Sequence, residues 1–216
     1  MKKYVLSAVV CGVVCSAGLA NAVSSKTLSD YAAPPTSSII KDNEVMIGAE
    51  WLSLSSEGGG QNKDVESLTG YRLQYARNFG VESTGFWSAS ISWGQAWGSG
   101  DHYDMTTNSL RLGIDRNFKV GTEGLYAFIG ARVGMSQSVF RWDQRHTWQG
   151  TNNHDYDNAS ELGVGTGVKY YFPNSSGSLT AGVLYMWRNG TETGHNNNNN
   201  SGMSVTTIYA GYSFAF

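Results

Sequence analysis

The chain has 216 residues with 27 Gly, 12 Tyr, 7 Trp, 2 Cys and only 3 Pro, and it carries 15 basic against 17 acidic side chains. A balance this close to neutral gives no basic footprint for a nucleic-acid partner. Two cysteines are too few for a disulfide-stapled scaffold.

The N-terminus sets the compartment. Lys2 and Lys3 precede an apolar run over residues 4–14, and Ala20-Asn21-Ala22 follows, the order of charge, apolar core and small-residue cleavage site of a secretory signal. Cleavage is expected after Ala22. The run is too short for a spanning helix, which needs about 20 apolar residues. Cys11 and Cys15 both lie inside residues 1–22, so the mature chain carries no disulfide, thiolate metal site or thiol nucleophile. Loss of Lys2 and Lys3 leaves 13 basic against 17 acidic residues, a net charge near −4, on the remaining 194 residues. Residues 23–42, with Ala32-Ala33-Pro34-Pro35, read as a flexible periplasmic lead-in, and residues 43–216 as one domain.

Nothing after residue 22 could cross a membrane as a helix, so a membrane-spanning form must be a closed barrel, the other structure that satisfies every backbone polar group in lipid. Eight segments alternate with period two, as barrel strands do. The first, residues 45–54, offers Val45, Ile47, Ala49 and Trp51 to one side and Gly48 and Glu50 to the other. The second, residues 68–79, sets Tyr71, Leu73 and Tyr75 against Arg72 and Gln74. In the third, Trp87, Ala89, Ile91 and Trp93 alternate with Ser88, Ser90 and Ser92; in the fourth, Leu110, Leu112 and Ile114 alternate with Arg111, Gly113 and Asp115. The fifth places Leu125, Ala127, Ile129, Ala131 and Val133 opposite Tyr126, Phe128, Gly130, Arg132 and Gly134. The sixth places Leu162, Val164, Val168 and Tyr170 opposite Glu161, Gly163, Gly165, Gly167 and Lys169. The seventh gives Leu179, Ala181, Val183, Tyr185 and Trp187 against Thr180, Gly182 and Arg188. The eighth gives Ile208, Ala210, Tyr212, Phe214 and Phe216 against Tyr209, Gly211 and Ser213.

The polar face is Gly- and Ser-rich, whereas a soluble sandwich would carry many Lys and Glu outside. The apolar face is therefore the exterior, and the fold is an eight-stranded antiparallel transmembrane β-barrel. Leu52, Leu54, Leu184 and Met186 fall on the nominally inner face, which leaves the register of strands one and seven open.

Short links over residues 80–85, 119–124 and 173–177 alternate with longer polar ones over 55–67, 94–107, 137–158 and 189–202. Outer-membrane barrels alternate short periplasmic turns with long extracellular loops, so both termini are expected in the periplasm. The downward strands end on Phe79, Phe118, Phe172 and Phe216, one aromatic girdle, and Trp51, Trp93 and Trp187 sit where the opposite girdle belongs. The pentapeptides at residues 75–79 and 114–118, both ending Arg-Asn-Phe, mark equivalent strand ends.

The final strand, with Gly211, Tyr212, Phe214 and the terminal Phe216, resembles the C-terminal signal by which the barrel-assembly machinery recognises its clients. With the signal peptide and eight strands, the chain resembles the OmpA/OmpX-type small outer-membrane barrel class. The resemblance implies the bacterial outer membrane, with its lipid and the assembly machinery as partners, and no cofactor. No OmpA-like peptidoglycan-binding domain is expected after the barrel.

The inward charges are Glu50, Arg72, Arg111, Asp115, Arg132, Glu161, Lys169 and Arg188. Glu50, Arg72, Arg111 and Arg132 fall at similar mid-barrel height, so Glu50 is expected to be shared among those arginines. Eight strands leave an interior that side chains can fill, so the charges read first as an electrostatic plug and second as the lining of a narrow, gated pore. Lipid-modifying activity is the third reading, and the histidines, His102, His146, His154 and His195, give it little: all fall in loops, with no His-x-Ser arrangement on a strand. A non-enzyme is expected. His146, His154, Asp155 and Asp157 read as scattered loop polarity rather than a metal site, and Asn196 to Asn200 as a solvated loop tip. Trp97, Tyr103, Phe140, Trp142 and Trp148 stand among the loop residues and suit recognition of an external glycan or protein, which gives a structural or adhesion-like surface role.

Overall fold

A computed structural model describes residues 39–56, 67–99, 103–121, 123–142, 154–173, 175–193 and 200–216. The expected signal peptide lies outside the described residues. Eight strands, β1 (Asn43–Ser56), β2 (Ser67–Glu82), β3 (Gly85–Ser99), β4 (Tyr103–Lys119), β5 (Leu125–Trp142), β6 (His154–Tyr171), β7 (Gly177–Thr193) and β8 (Asn200–Ala215), pair in chain order and close into a barrel through β1 and β8. Every pairing is antiparallel. Closure leaves no open edge, which lipid would not tolerate.

The register fixes the shape. The row that starts at Val45 runs through Tyr75, Ile91, Leu112, Val133, Leu162, Trp187 and Ser204 and returns to β1 at Ser55, ten residues along. Ten residues of stagger over eight strands tilt the strands by about 40° from the barrel axis. At that tilt the outward residues 125–135 of β5, Leu125 through Met135, climb about 25 Å, the height of an outer-membrane apolar band.

The expected facing holds on all eight strands. Ile47, Leu112, Val133, Leu162 and Phe214 are exposed on the outside, while Ser88, Arg111, Lys169 and Ser213 are buried inside. Leu52, Leu54, Leu184 and Met186 also point inward and are buried, which closes the question of register in β1 and β7: these side chains belong to the lumen. Val164, outward on β6 between Ala131 and Tyr185, offers a test of facing. Val164→Arg should lower stability in lipid vesicles by about 2–4 kcal/mol in urea titration. Ser90→Arg, on the inner face, should follow steric fit instead. An unchanged midpoint for the arginine at 164 would put the assigned exterior on the wrong side.

Two expectations are corrected. Segments read as long loops begin and end as strand, since residues 55–56, 67, 94–99, 103–107, 137–142, 154–158, 189–193 and 200–202 continue β1 to β8. On β5 the wall therefore rises about 15–20 Å beyond its apolar band. What remains of those four connections lies outside the described residues. The lead-in expected over 23–42 is not free at its end: Ile40 is buried against Phe86, Tyr126 and Tyr171, with Ile39 packed on them.

The opposite end is tightly turned. Gly80, Gly121 and Gly124 have φ of 60°, 59° and 84°, the left-handed region that glycine enters without a Cβ clash. The start of β1 and the last residue meet at this end, where Asn43 and Phe216 exchange backbone hydrogen bonds of 3.1 and 2.9 Å.

Candidate functional site

The lumen is where strand alternation gathers polar chemistry. At the turn end, Glu44 accepts from Lys169 Nζ at 2.8 Å, from Asn78 Nδ2 at 2.7 Å and from the Tyr171 hydroxyl. Asn78 also donates to the Lys41 carbonyl at 2.8 Å, tying the incoming chain to the barrel. Against this cluster Phe86, Tyr126 and Tyr171 meet edge to face with centroids 5.2 to 6.1 Å apart, and Ile40 fills the space among them. Sequence reading missed Glu44. It shares the inward parity of Met46 and Glu50, but it sits just before Val45, where apolar alternation becomes visible.

The mid-barrel charges pair differently from expectation. Glu161 is the acid shared by two arginines, at 2.8 Å from Arg111 Nε and 3.2 Å from Arg188 Nε. The register explains this: Arg111, Gly134, Glu161 and Arg188 occupy one row across β4 to β7, and glycine at 134 leaves the gap that the Arg111–Glu161 contact crosses. Arg188 also donates to Ser136 and Ser138. Arg132 is held on both oxygens of Asp115, at 2.6 and 2.8 Å, and so is not a partner of Glu50. Among the described residues, the ion pair that Glu50 makes is the long one to Arg111, at 3.9 Å. Arg72 donates to Ser92 and Gln74 at 3.0 and 3.2 Å and lies 4.6 Å over the Tyr209 ring. Its Nε and Nη1, with Glu50 Oε2, are buried without a hydrogen-bond partner among the described residues.

Glycine on the inner face makes room for these chains. A Cβ at position 94 would fall 2.5 Å from Glu50 Oε1, and one at 113 would fall 2.6 Å from Arg132 Cδ. Beside and above the charges, Leu52, Leu54, Leu68, Ala96, Met105, Leu184, Met186 and Val205 form one apolar cluster, contributed mostly by β7, β8 and β1 to β3. Inward charges thus come from β1, β2 and β4 to β7, while the apolar lumen side chains concentrate on β1 to β3, β7 and β8. That asymmetry is why Leu52 and Met186 confuse a strictly alternating reading.

On the exterior, Phe79, Phe216, Tyr212 and Phe214 are exposed near the turn end, and Phe118 and Phe172 are half-buried beside them. Phe172 stacks on Tyr212 at 6.4 Å, and Phe214 on Phe216 at 6.4 Å. The repeated Arg-Asn-Phe has a division of labour: Asn78 and Asn117 point inward, the latter to Ser88 at 2.6 Å, while Arg116 turns outward over Trp87 and Phe118. Trp51, Trp93 and Trp187 are exposed toward the other end, Trp93 packed at 5.4 Å on Tyr71 and Trp187 at 4.9 Å on Tyr185. Gly211 lies on the inner face of β8 opposite Gly48, where a Cβ would fall 2.8 Å from the Ile47 carbonyl oxygen.

Of the residues expected on recognition loops, Trp97 is exposed on β3, next to Tyr71, rather than on a loop. Tyr103, Phe140 and Trp142 are likewise on strands β4 and β5, with side chains outside the described set. Trp148 lies outside the described residues, as do His102, His146, His195 and the side chains of His154, Asp155 and Asp157.

Solved structures share the architecture. Neisserial surface protein A is 16% identical, with a TM-score of 0.55, over 81% of this chain and 97% of that one. The outer membrane protein OprG from Pseudomonas aeruginosa is 15% identical, with a TM-score of 0.50, over 82% and 97%. The outer membrane enzyme PagL is 15% identical over 79% and 99%, at a TM-score of 0.40. At these identities the likeness is one of fold. No family model matches the chain, and no curated protein matches it in sequence. A closed eight-stranded barrel with an apolar band outside and charges inside is a protein of the bacterial outer membrane, with the architecture of the OmpA/OmpX-type class.

Proposed function

We propose that this protein is a plugged outer-membrane barrel that works at the cell surface, in a structural or adhesion-like role, through the walls and connections beyond its apolar band. One observation carries the reading. Arg72, Arg111 and Arg132, the mid-lumen cations, are only 1%, 2% and 2% exposed. Charges that line a conducting path are reached by water; these are enclosed by side chains, as eight-stranded barrels allow. The tall walls face the exterior of the cell and the tight turns face the periplasm, an orientation supported by the usual asymmetry of such barrels. Phe214 and Phe216, exposed beside the closing strand, suit recognition by the assembly machinery. The non-enzymatic reading rests on the sequence, in which no His-x-Ser arrangement occurs, although His154, expected in a loop, begins strand β6.

A gated narrow channel is the second reading, favoured by the buried, unbonded atoms of Arg72 and Glu50, where a file of water would find partners. Recording from refolded protein in planar bilayers separates the two. The plugged barrel gives no discrete current steps, and reproducible steps would replace it with the channel. A shift in lipid mass on overexpression would restore an enzymatic role.

A further inference from the structure

The outer wall carries a row of uncharged amides that the lumen does not explain. Gln95, Asn108, Gln137 and Asn158 are register partners across β3 to β6 and stand just beyond the apolar row of Trp93, Leu110 and Met135. Gln95 Nε2 donates to Asn108 Oδ1 at 3.0 Å, and Gln137 Nε2 donates to Asn158 Oδ1 at 3.2 Å. The Tyr71 hydroxyl caps the row on Gln95 Oε1 at 2.9 Å. A groove of about 500 Å³ runs along this boundary, with Trp93, Leu110, Met135 and Ser160 on one row and Asn108, Gln137 and Asn158 on the other.

We propose that this groove holds the neutral sugar headgroup of a membrane glycolipid, whose acyl chains continue over the apolar band below. The hydrogen bonds within the row leave an alternating face: Asn108 Nδ2–H donates, Gln137 Oε1 accepts and Asn158 Nδ2–H donates. Sugar hydroxyls both donate and accept, so a hexose matches the alternation. A phosphate or carboxylate only accepts and meets the Gln137 oxygen; an ammonium only donates and meets two N–H groups. No charged side chain lines the groove. The indole of Trp93 supplies the flat, amphipathic wall against which a sugar ring packs. The wall is membrane-facing because Leu110 and Met135 continue the apolar band, so the occupant is an amphiphile and not a free saccharide. The inference does not depend on the orientation or the plugged lumen proposed above.

Native mass spectrometry of the refolded full barrel tests this with two probes, monohexosyl diacylglycerol and phosphatidylglycerol. The wild type should retain one hexosyl lipid at concentrations where phosphatidylglycerol is lost. Gln137→Leu with Asn158→Leu, which keeps the exterior foldable, should weaken hexosyl-lipid retention at least tenfold and leave phosphatidylglycerol unaffected. Heat-dependent gel mobility of each variant confirms that the barrel is intact. Equal retention of both lipids by the wild type, or unchanged retention by the folded double variant, overturns the site. Should the double variant not fold, Ser160→Leu carries the same test.

Discussion

Glu161→Ala should destabilise the barrel by about 3–5 kcal/mol, the usual cost of removing one partner from a buried ion pair. Glu161 holds Arg111 at 2.8 Å and Arg188 at 3.2 Å in a space where the side chains are almost wholly shielded. Without it Arg111 keeps, among the described residues, the Glu50 carboxylate at 3.9 Å. Arg188 keeps hydroxyl contacts with Ser136 and Ser138. Glu50→Ala should cost less than half as much, because Glu50 makes no direct hydrogen bond to an arginine among the described residues. Urea midpoints of the two variants in the same vesicles decide the order. A larger loss for Glu50→Ala would return the hub of the lumen to Glu50.

The difference between these two acids also measures what the sequence could tell. Lipid outside and a filled lumen inside impose period two on every strand, so the facing of Ile91, Leu112 and Val164 was legible from residue order alone. So was the list of inward charges, apart from Glu44. Their partners were not, because Arg111 meets Glu161 through interstrand register, and register is a relation between segments 50 residues apart in sequence. The strand ends were hidden for a different reason. Beyond the apolar band both faces turn polar, as at Gln137, Ser138 and Arg141 on β5, and the contrast that reveals alternation disappears even though the ladder continues. The amide row was invisible on the same account: Gln95, Asn108, Gln137 and Asn158 look like loop polarity until the pairing sets them side by side.

Leu184→Ala should cost about 2–5 kcal/mol, the range for deleting a fully buried leucine. Leu184 is 0% exposed and pairs across β6–β7 with Gly165, where a Cβ would lie 2.5 Å from Leu184 Cδ2. Glycine is therefore required at 165 by the bulk of leucine at 184. Gly165→Ala alone should overpack the lumen and cost about 1–3 kcal/mol. Combined with Leu184→Ala, the new methyl enters the space the leucine vacated, so the double variant should be more stable than the sum of the two losses predicts. Urea titration of the wild type, both single variants and the double variant measures that coupling. Strict additivity would mean that the two side chains do not share the space, and that the lumen beside Arg132 is looser than the packing of Leu184 implies.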